Sequence, residues 1–296
     1  MSLGVSEPIS AYLRRLGLTV AGAPTADLLR ALHAAHVERI AYEALDVQRG
    51  LLTSIDPRDS VARIALQHRG GYCYHLNGAF ATLLSALGFD VVWHRAGVQN
   101  HADPAPPGSI LANHLALTVH GLESDDCPSG IWLADVGLGD ALHEPIPLRE
   151  GVYAQGPFRY RLRPSEVDPG GWRLDHDPAG SFAGMDFSPD VATLAAFADR
   201  HVHLSTSPDS GFVRTCAVYR RDATGVDALI GCVLRRIEGA HRSSREIDRE
   251  RDWFDLLADA FDLPLTDLGP RERSELFGKV RATHEQWLAA RAVSPH

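Results

Sequence analysis

Cysteine is scarce in this sequence, with four in 296 residues: Cys73, Cys127, Cys216 and Cys232. No two form a C-x-x-C pair and no zinc-type spacing occurs, so neither a disulfide framework nor a metal module is expected. Free thiols in a reducing cytoplasm are the simplest expectation. Long apolar runs are missing too. Nothing approaches the ~20 residues that cross a bilayer, so no membrane partner is expected. The opening stretch MSLGVSEPISAYLRRLGL lacks a basic start followed by an apolar core, which argues against a secretory signal. Positive charge is in deficit, with 29 Lys and Arg against 38 Asp and Glu and a net charge of -9. That argues against nucleic acid as the main partner, because phosphate binding needs a clustered surplus of cations. The one dense charged run, RRIEGAHRSSREIDRERD (235–252), mixes both signs and reads as a solvated loop or helix face. Internal repeats and low-complexity tracts are absent.

What is present is ordinary globular composition, 45% hydrophobic and 23% charged, in a chain long enough for about two domains. The first ninety residues carry helical patterns. Ile9, Tyr12, Leu13 and Leu16 recur at helical spacing before Gly17. TADLLRALHAAHVERIAY opens on Thr25, a candidate N-cap, and continues through Leu28, Leu29, Leu32, His36 and Ile40. DSVARIALQ predicts a shorter helix. Leu76, Phe80, Leu83, Leu84 and Leu87 form the apolar stripe of another, ended by Gly88. Then the period changes. FDVVWHRAGV, NHLALTVHG and IWLADVGLG are short, β-branched or alternating, and separated by loops such as PAPPG and ESDDCPSG. PFRYRLRP and GWRLDHD continue the strand-like region. SPDVATLAAFADRHV reads as a helix, GFVRTCAVYRR and DALIGCVLRRIE as two strands, and DWFDLLADAFDL and ERSELFGKVRATHEQWLAARA as closing helices. The expected class is α+β.

The stretch RGGYCYHLNGAF (69–80) places Cys73 after a glycine pair and at the start of a helix. Glycines let the backbone turn sharply and come close to a ligand. The first turn of a helix offers unpaired N–H groups and the positive end of the dipole, which favour an anion. A nucleophilic thiolate fits that context, and so does a small buried hydrophobe, the commonest role of a free cysteine. A nucleophile needs a base and the base an orienting group. His114 opens an otherwise apolar strand pattern, and Asp135 ends IWLAD directly before VGLG. His94 has no obvious acid partner, His33 and His36 sit on a helix as core or surface residues, and His201 and His203 make an H-x-H without further metal ligands.

In this order, RGGYCYHLNGAF, NHLALTV and WLADVGLG resemble the three active-site motifs of the arylamine N-acetyltransferases. YLRRLGL is similar to that family's N-terminal helix, LHAAHVERIAYEALDV to its LH..H...PFENLDV segment, and HLSTSPDSGFV to its STSP.S.F stretch. The resemblance implies a cysteine-protease-like core of an N-terminal helical bundle (1–88) and an antiparallel β-barrel (89–190), with a C-terminal α/β lid (191–296). It implies a triad of Cys73, His114 and Asp135. The implied reaction is ping-pong: acetyl-CoA acetylates the cysteine, which passes the group to an arylamine, hydrazine or arylhydroxylamine, a chemistry of xenobiotic metabolism in the cytoplasm. Acetyl-CoA is then the acyl-donor substrate, and no metal is involved.

Other positions follow from the same resemblance. Gly137 and Gly139 in DVGLGD lie near the cofactor in the family, although a tight strand exit would need glycine equally; no G-K-[ST] follows, so this is not a P-loop. Ser205, Thr206 and Ser207, with Ser210, offer hydroxyls to CoA phosphates or pantetheine, or simply form a Pro-Asp-Ser-Gly turn. Arg69 and Glu43 match an ion pair that braces the active-site loop. The sequence departs from the family at His75 (usually glutamate), at Ala44 (usually asparagine) and in HVHL before STSP. Two residues beyond Cys73 on a helix, His75 faces away from it and is expected to pack or lie on the surface. Amide synthases of the same fold, which release a carrier-bound polyketide chain onto an aromatic amine, would use the same triad and are the competing expectation. A cysteine peptidase would give no reason for the STSP segment, and a non-catalytic binding protein none for three triad residues.

Overall fold

The structure, a computed structural model, describes residues 6–293. The outermost residues of the first and last expected segments, 1–5 and 294–296, lie outside the described residues. The chain begins with α1 (Glu7–Arg15) and α2 (Ala26–Arg39), then the two-residue strand β1 (Tyr42–Glu43), α3 (Leu45–Gln48), α4 (Pro57–Gln67) and α5 (Cys73–Ala86). Thr25 caps α2 as its sequence indicates, accepting from the Leu28 amide. Asp56 and Pro57 open α4, and His68 ends it in the left-handed conformation. The stripe expected on α5 is fully buried, but so are Cys73, Tyr74, His75, Asn77, Gly78, Ala79 and Ala81. This helix is enclosed almost all round, with Thr82, Ser85 and Ala86 as its outer face.

Eight strands follow: β2 (Asp90–Gln99), β3 (His114–His120), β4 (Trp132–Leu133), β5 (Ile146–Pro147), β6 (Gly151–Gln155), β7 (Phe158–Pro164), β8 (Trp172–Asp175) and β9 (Gly184–Val191). They form one antiparallel sheet in the order β5-β4-β3-β2-β9-β8-β7-β6. Its two edges meet where Tyr153 on β6 donates its hydroxyl to Pro147 O on β5 at 3.1 Å, so the sheet nearly closes into a barrel. Strand β3 is buried on both faces. Leu115, Leu117 and Val119 join the apolar cluster of α1, α2, α4 and α5, while Ala116 joins the cluster inside the barrel. Period-two alternation here separates two cores, not core from solvent.

The last part contains α6 (Ala198–Thr206), α7 (Gly211–Arg214), β10 (Ala217–Arg221), β11 (Val226–Ile230), β12 (Val233–Glu238), β13 (His241–Glu246), α8 (Glu250–Phe261) and α9 (Pro270–Val293). Strands β10 to β13 take β1 as their outer neighbour, giving the order β1-β10-β11-β12-β13, so the first part of the chain supplies a strand to the last. No helix among the described residues is long and apolar enough to cross a membrane.

Three local expectations are corrected. SPDVATLAAFADRHV is not helical from its start: β9 runs to Val191, which pairs with His94, and α6 begins at Ala198. Pro189 lacks a ladder donor and sits in a bulge, where three residues (188–190) oppose Arg95. DALIGCVLRRIE is a hairpin, not one strand, because Gly231 (φ +58°) and Cys232 form a two-residue turn between the paired Ile230 and Val233. The mixed-charge run is solvated as expected, yet part of it is β13, an exposed edge strand whose charges discourage further pairing. GFVRTCAVYRR also divides, into α7 capped by Ser210 and then β10.

The pair expected between Arg69 and Glu43 is part of a larger buried cluster. Arg69 lies 3.4 Å from Glu43 and 3.1 Å from Asp46, and Arg63 on α4 binds the same two carboxylates at 2.7 and 2.6 Å. Arg63 also donates Nε–H to Gly70 O at 2.7 Å, and Arg15 donates to Arg69 O at 2.7 Å. Burial alone would raise the Asp46 carboxyl, but the Arg69 and Arg63 guanidinium groups outweigh it and hold it at about 2; Glu43 is held low for the same reason. A depressed carboxylate contributes stability that is complete above its unfolded value of 3.8 and is lost as pH falls toward about 2. Acid unfolding followed by circular dichroism is therefore expected to begin in that window. Arg63→Met, which leaves two buried carboxylates with one guanidinium fewer, is expected to lower stability by roughly 3–5 kcal/mol in denaturant melts. A loss below about 1 kcal/mol, the value of an exposed pair, would show that the cluster does not brace this region.

Candidate active site

Two glycines bring the chain into Cys73, and neither is there for positive φ. A Cβ on Gly70 would stand 1.9 Å from Ala41 O, and one on Gly71 would stand 2.5 Å from the Cβ of His75. The pair lets the active-site loop press against its own neighbours, and Glu43 N donates to Gly71 O at 2.9 Å across that contact. Tyr72 is the N-cap of α5 and Cys73 its first residue. Within this first turn His75 N already donates to Tyr72 O at 2.9 Å, whereas the Cys73 and Tyr74 amides ahead of it have no intrahelical acceptor.

Cys73 is buried, at 3% exposure, and its sulfur lies 3.6 Å from Asn113 O. His114, the first residue of β3, follows Asn113 directly, and its ring interacts with the sulfur. His114 Nε2 donates to Asp135 Oδ2 at 2.7 Å, which leaves Nδ1 as the ring nitrogen for the thiol. Burial pushes the imidazole down, but the Asp135 carboxylate first, and then the neighbouring Cys73 sulfur, outweigh it and lift it to about 10. The structure thus brings Cys73, His114 and Asp135 together. Strand β4 ends at Leu133, so Asp135 is carried by the loop after the strand and not by the strand itself.

That loop is fixed by Asn77, which was overlooked in the sequence. Its Nδ2 donates to Asp135 Oδ1 at 2.7 Å and to Leu115 O at 2.6 Å, and its Oδ1 accepts from Val136 N at 2.9 Å. Asp135 Oδ1 also accepts from Gly137 N at 2.9 Å. The signal was in the string: Asn77 stands four residues after Cys73, on the same helix face, and is a polar residue in an apolar helix. Gly137 is explained by packing, since a Cβ there would come within 2.8 Å of both Cys73 Cα and Asn77 Nδ2.

Cys73 and His114 open onto a cavity of about 480 Å³. Gly137 and Gly139 line it, as do Ala44 and the aromatic residues Tyr42, Phe182, Phe212 and Tyr219. Ser205, Thr206 and Ser207 do not. They close α6: Ser205 is buried 3.0 Å from the Tyr72 hydroxyl, Thr206 donates to Val202 O at 2.8 Å, and Ser207 caps the following turn. The residues after them, Asp209 to Phe212, reach the cavity instead, Ser210 included.

His75 is buried and packs, as its helical position indicated. It stands edge-on to Tyr72 at 4.7 Å, and its Nε2 is 3.1 Å from the Thr53 hydroxyl. Burial first, then the Arg63 charge and His201, push its imidazole down to about 3, so at neutral pH it adds no cation beside the thiol. His201, on α6, is its neighbour and not a metal ligand. Nε2 of His201 donates to Thr53 O at 2.7 Å, and Nδ1 accepts from the Tyr72 hydroxyl. His33 and His36 are both core residues, and His36 is bonded to the Tyr12 hydroxyl at 2.8 Å.

A family model described as N-acetyltransferase matches residues 25–268. An arylamine N-acetyltransferase of Mycobacterium tuberculosis is 31% identical over 270 residues, covering 89% of this chain and 92% of that one. The arylamine N-acetyltransferase / N-hydroxyarylamine O-acetyltransferase of Salmonella typhimurium is 34% identical over 159 residues, 52% of each chain. For it, and for the Mycolicibacterium smegmatis and Escherichia coli proteins, the match spans about half the relative's length. Among solved structures, the Salmonella typhimurium enzyme superposes with a TM-score of 0.81 at 26% identity, covering 94% of this chain and 99% of that one. Mycobacterium marinum arylamine N-acetyltransferase in complex with CoA gives 0.80 at 25% identity, covering 93% and 99%. The chain belongs to the arylamine N-acetyltransferase family.

Proposed function

We propose that this protein moves an acetyl group from acetyl-CoA to the nitrogen of an arylamine, hydrazine or arylhydroxylamine, through an acetyl thioester on Cys73. The observation that carries the reading is the buried Cys73–His114–Asp135 arrangement opening onto an aromatic-walled cavity. Family membership supports the acetyl transfer, and the CoA bound in the Mycobacterium marinum relative supports CoA as the donor's carrier.

The first half-reaction begins with the Cys73 proton on His114 Nδ1. The thiolate attacks the thioester carbonyl carbon, the bond from that carbon to the CoA sulfur breaks, and the imidazolium returns its proton to the departing CoA sulfur. One thioester replaces another, so the step needs little driving force. In the second half-reaction the amine nitrogen attacks the acetyl carbon, His114 takes the amine proton, and Cys73 leaves as the thiolate. An amide is more stable than a thioester, so this step runs downhill. Asp135 holds the ring in one tautomer and stabilises the imidazolium, and Asn77 positions Asp135. The backbone N–H of Cys73, at the first turn of α5 and without an intrahelical acceptor, would serve as a donor to the oxyanion of each tetrahedral intermediate. Gly137 and Gly139 leave bare backbone on the cavity wall along which the pantetheine arm can run.

Two predictions follow from these roles. His114 stays protonated until pH rises through about 10, so CoA release in the first half-reaction should hold into the alkaline range and fall above it. Asp135→Asn removes the charge that opposes burial; the alkaline limb should move to lower pH, with the rate near pH 7 reduced ~10²–10⁴-fold. A pH–rate profile checks this, and a limb that stays in place would remove His114 as the titrating group. Intact-protein mass spectrometry after mixing with acetyl-CoA should show one added acetyl group, absent in Cys73→Ala. If no acetyl adduct forms and no CoA is released with any amine across a broad panel, the proposed reaction is wrong.

A further inference from the structure

A second cavity lies behind the wall of the first. It measures about 170 Å³ and sits between the β11–β12 turn and α9, with Cys216, Ile230, Val233, Val280 and Trp287 around it. An apolar cavity of ~150 Å³ is enough to hold benzene. Burial pushes the Cys216 thiol up to about 12, so that part of the wall is neutral. Another part is flat: Trp287 and His284 lie stacked, with ring centroids 5.7 Å apart and planes 26° apart.

Arg235 is the one Arg or Lys on this lining, and no carboxylate lines it among the described residues. The side chain is half-buried, and it makes no ion pair or hydrogen bond among the described residues. Its cross-strand neighbours are Ala228 on β11 and Ser244 on β13. Glu246, two residues further along β13, is bound instead to His284 at 2.9 Å and to Arg281 at 3.4 Å. Backbone carbonyls can also hold a guanidinium in this fold, as those of Ala141, Gln155 and Gly225 hold Arg221. Arg235 has no such cradle. Of the carbonyls at this cavity, Gly231 O accepts from Trp253 Nε1 at 3.0 Å and Cys216 O from Gly231 N at 2.8 Å. A half-buried guanidinium beside an apolar cavity suits a ligand with an apolar ring and an anionic end.

The cavity shares a wall with the active site. Thr215 lines both. Gln48, another lining residue, donates its side-chain amide to Phe212 O and, at 3.3 Å, to Val213 O, so it holds α7 from behind. Helix α7 presents Phe212 and Arg214 to the active-site cavity. Lys279 on α9 fixes Gln48 in turn, donating to its backbone O at 2.6 Å.

We propose that this cavity is a second ligand site: it takes a single-ring aromatic carboxylate, with the carboxylate on Arg235 and the ring against Trp287, and its occupancy braces α7 and so restricts entry to Cys73. The site does not rest on the acetyl-transfer reading, and its ligand is neither acyl donor nor acceptor.

The test uses 4-fluorobenzoate and 4-fluorobenzamide, which are nearly equal in shape and differ in charge. Each is titrated by fluorine NMR into the full-length protein, before and after Cys73 is capped with N-phenylmaleimide to fill the active-site cavity. The acid is expected to bind at about tenfold lower concentration than the amide or less, the gain of a charge-assisted hydrogen bond. Capping should leave that preference in place. Arg235→Gln should bring the acid to the level of the amide. Thr283→Phe, which fills the cavity from α9, should abolish binding of both with Arg235 intact, and thermal melts show that the variants fold. The comparison of acid with amide in the wild type stands even where a variant does not fold. Saturating 4-fluorobenzoate should slow alkylation of Cys73 by iodoacetamide about fivefold, the lower end of coupling between linked sites, in the wild type and not in Thr283→Phe. Equal binding of acid and amide overturns the proposal, and so does a preference that survives Arg235→Gln. Binding that is lost on capping Cys73 also overturns it, since the ligand would then sit in the active-site cavity. An alkylation rate unchanged at saturation overturns the link to α7. A protein that binds the acid yet never acetylates Cys73 would keep this site and reject acetyl transfer. Acetyl transfer without acid binding would do the reverse.

Discussion

The active centre depends on one side-chain amide. Asn77 ties the first turns of α5 to the loop after β4 through one donated and one accepted bond, and to β3 through a second donated bond to Leu115 O, all between 2.6 and 2.9 Å. Cys73 belongs to the helical part of the chain, and His114 and Asp135 to the barrel, so nothing in either part alone sets the distance between the thiol and the imidazole. Asn77 sets it, and Gly137 permits it by leaving no Cβ between the loop and Cys73. The amide is fully buried, and three of its four hydrogen-bonding positions are filled. A buried polar group so engaged is costly to displace, because its partners include a buried carboxylate and two backbone groups that no water can reach.

A second constraint acts from behind. The cluster of Glu43, Asp46, Arg63 and Arg69 anchors the chain just before the glycine pair. Arg63 holds Gly70 O directly, and β1 receives Gly71 against its own backbone. Buried ion pairs are a poor source of net stability compared with apolar packing. Their advantage here is directional. A glycine pair has little side-chain packing of its own to locate it, and guanidinium groups fix carbonyls and carboxylates in set directions. The same segment serves the second sheet, because Tyr42 and Glu43 pair with Tyr219 and Val218 of β10. The loop before Cys73 is thereby braced against the part of the chain that walls the cavity.

Much of this was legible in the sequence, for identifiable reasons. Helix and strand periods located α1, α2, α5, β2 and β3, because each buries a face over enough residues to show a pattern. Cys73 is marked by the glycine pair and helix start, His114 by opening an otherwise apolar strand, and Asp135 by ending IWLAD before VGLG. Asn77 is also a polar residue in an apolar pattern, but it is one among the leucines of its helix. Arg63 gave no signal, since an arginine on a short amphipathic helix reads as solvated until its carboxylate partners are placed in space. Hydroxyls near a Pro-Asp-Ser-Gly turn suggest phosphate binding at Ser205, Thr206 and Ser207, but a sequence does not show that Ser205 lies against Tyr72, that Thr206 bonds Val202 O within α6 and that Ser207 caps the next turn. Bulges and two-residue turns, as at Pro189 and Gly231, divide segments that composition alone runs together.

The departures from the family pattern follow a similar division. His75 replaces a residue that is usually acidic, yet it is neutral, sealed between Gly71, Tyr72 and Thr53, and turned away from the cavity. Its partner in that packing is His201, which belongs to the other unusual stretch, HVHL. The two histidines lie 6.2 Å apart with Tyr72 beside both, so the changes at 75 and 201 form one repacked contact between α5 and α6. That contact sets how α6 sits over the first turn of α5. Ala44 acts from the opposite wall, where a small side chain lines the cavity in place of an amide. The surroundings of Cys73 and the walls of the cavity therefore have different physical origins in this chain. The first are fixed by a dense network of buried bonds around Asn77 and Asp135. The second include Ala44, just before α3, and residues of α6 and α7, none of which takes part in that network.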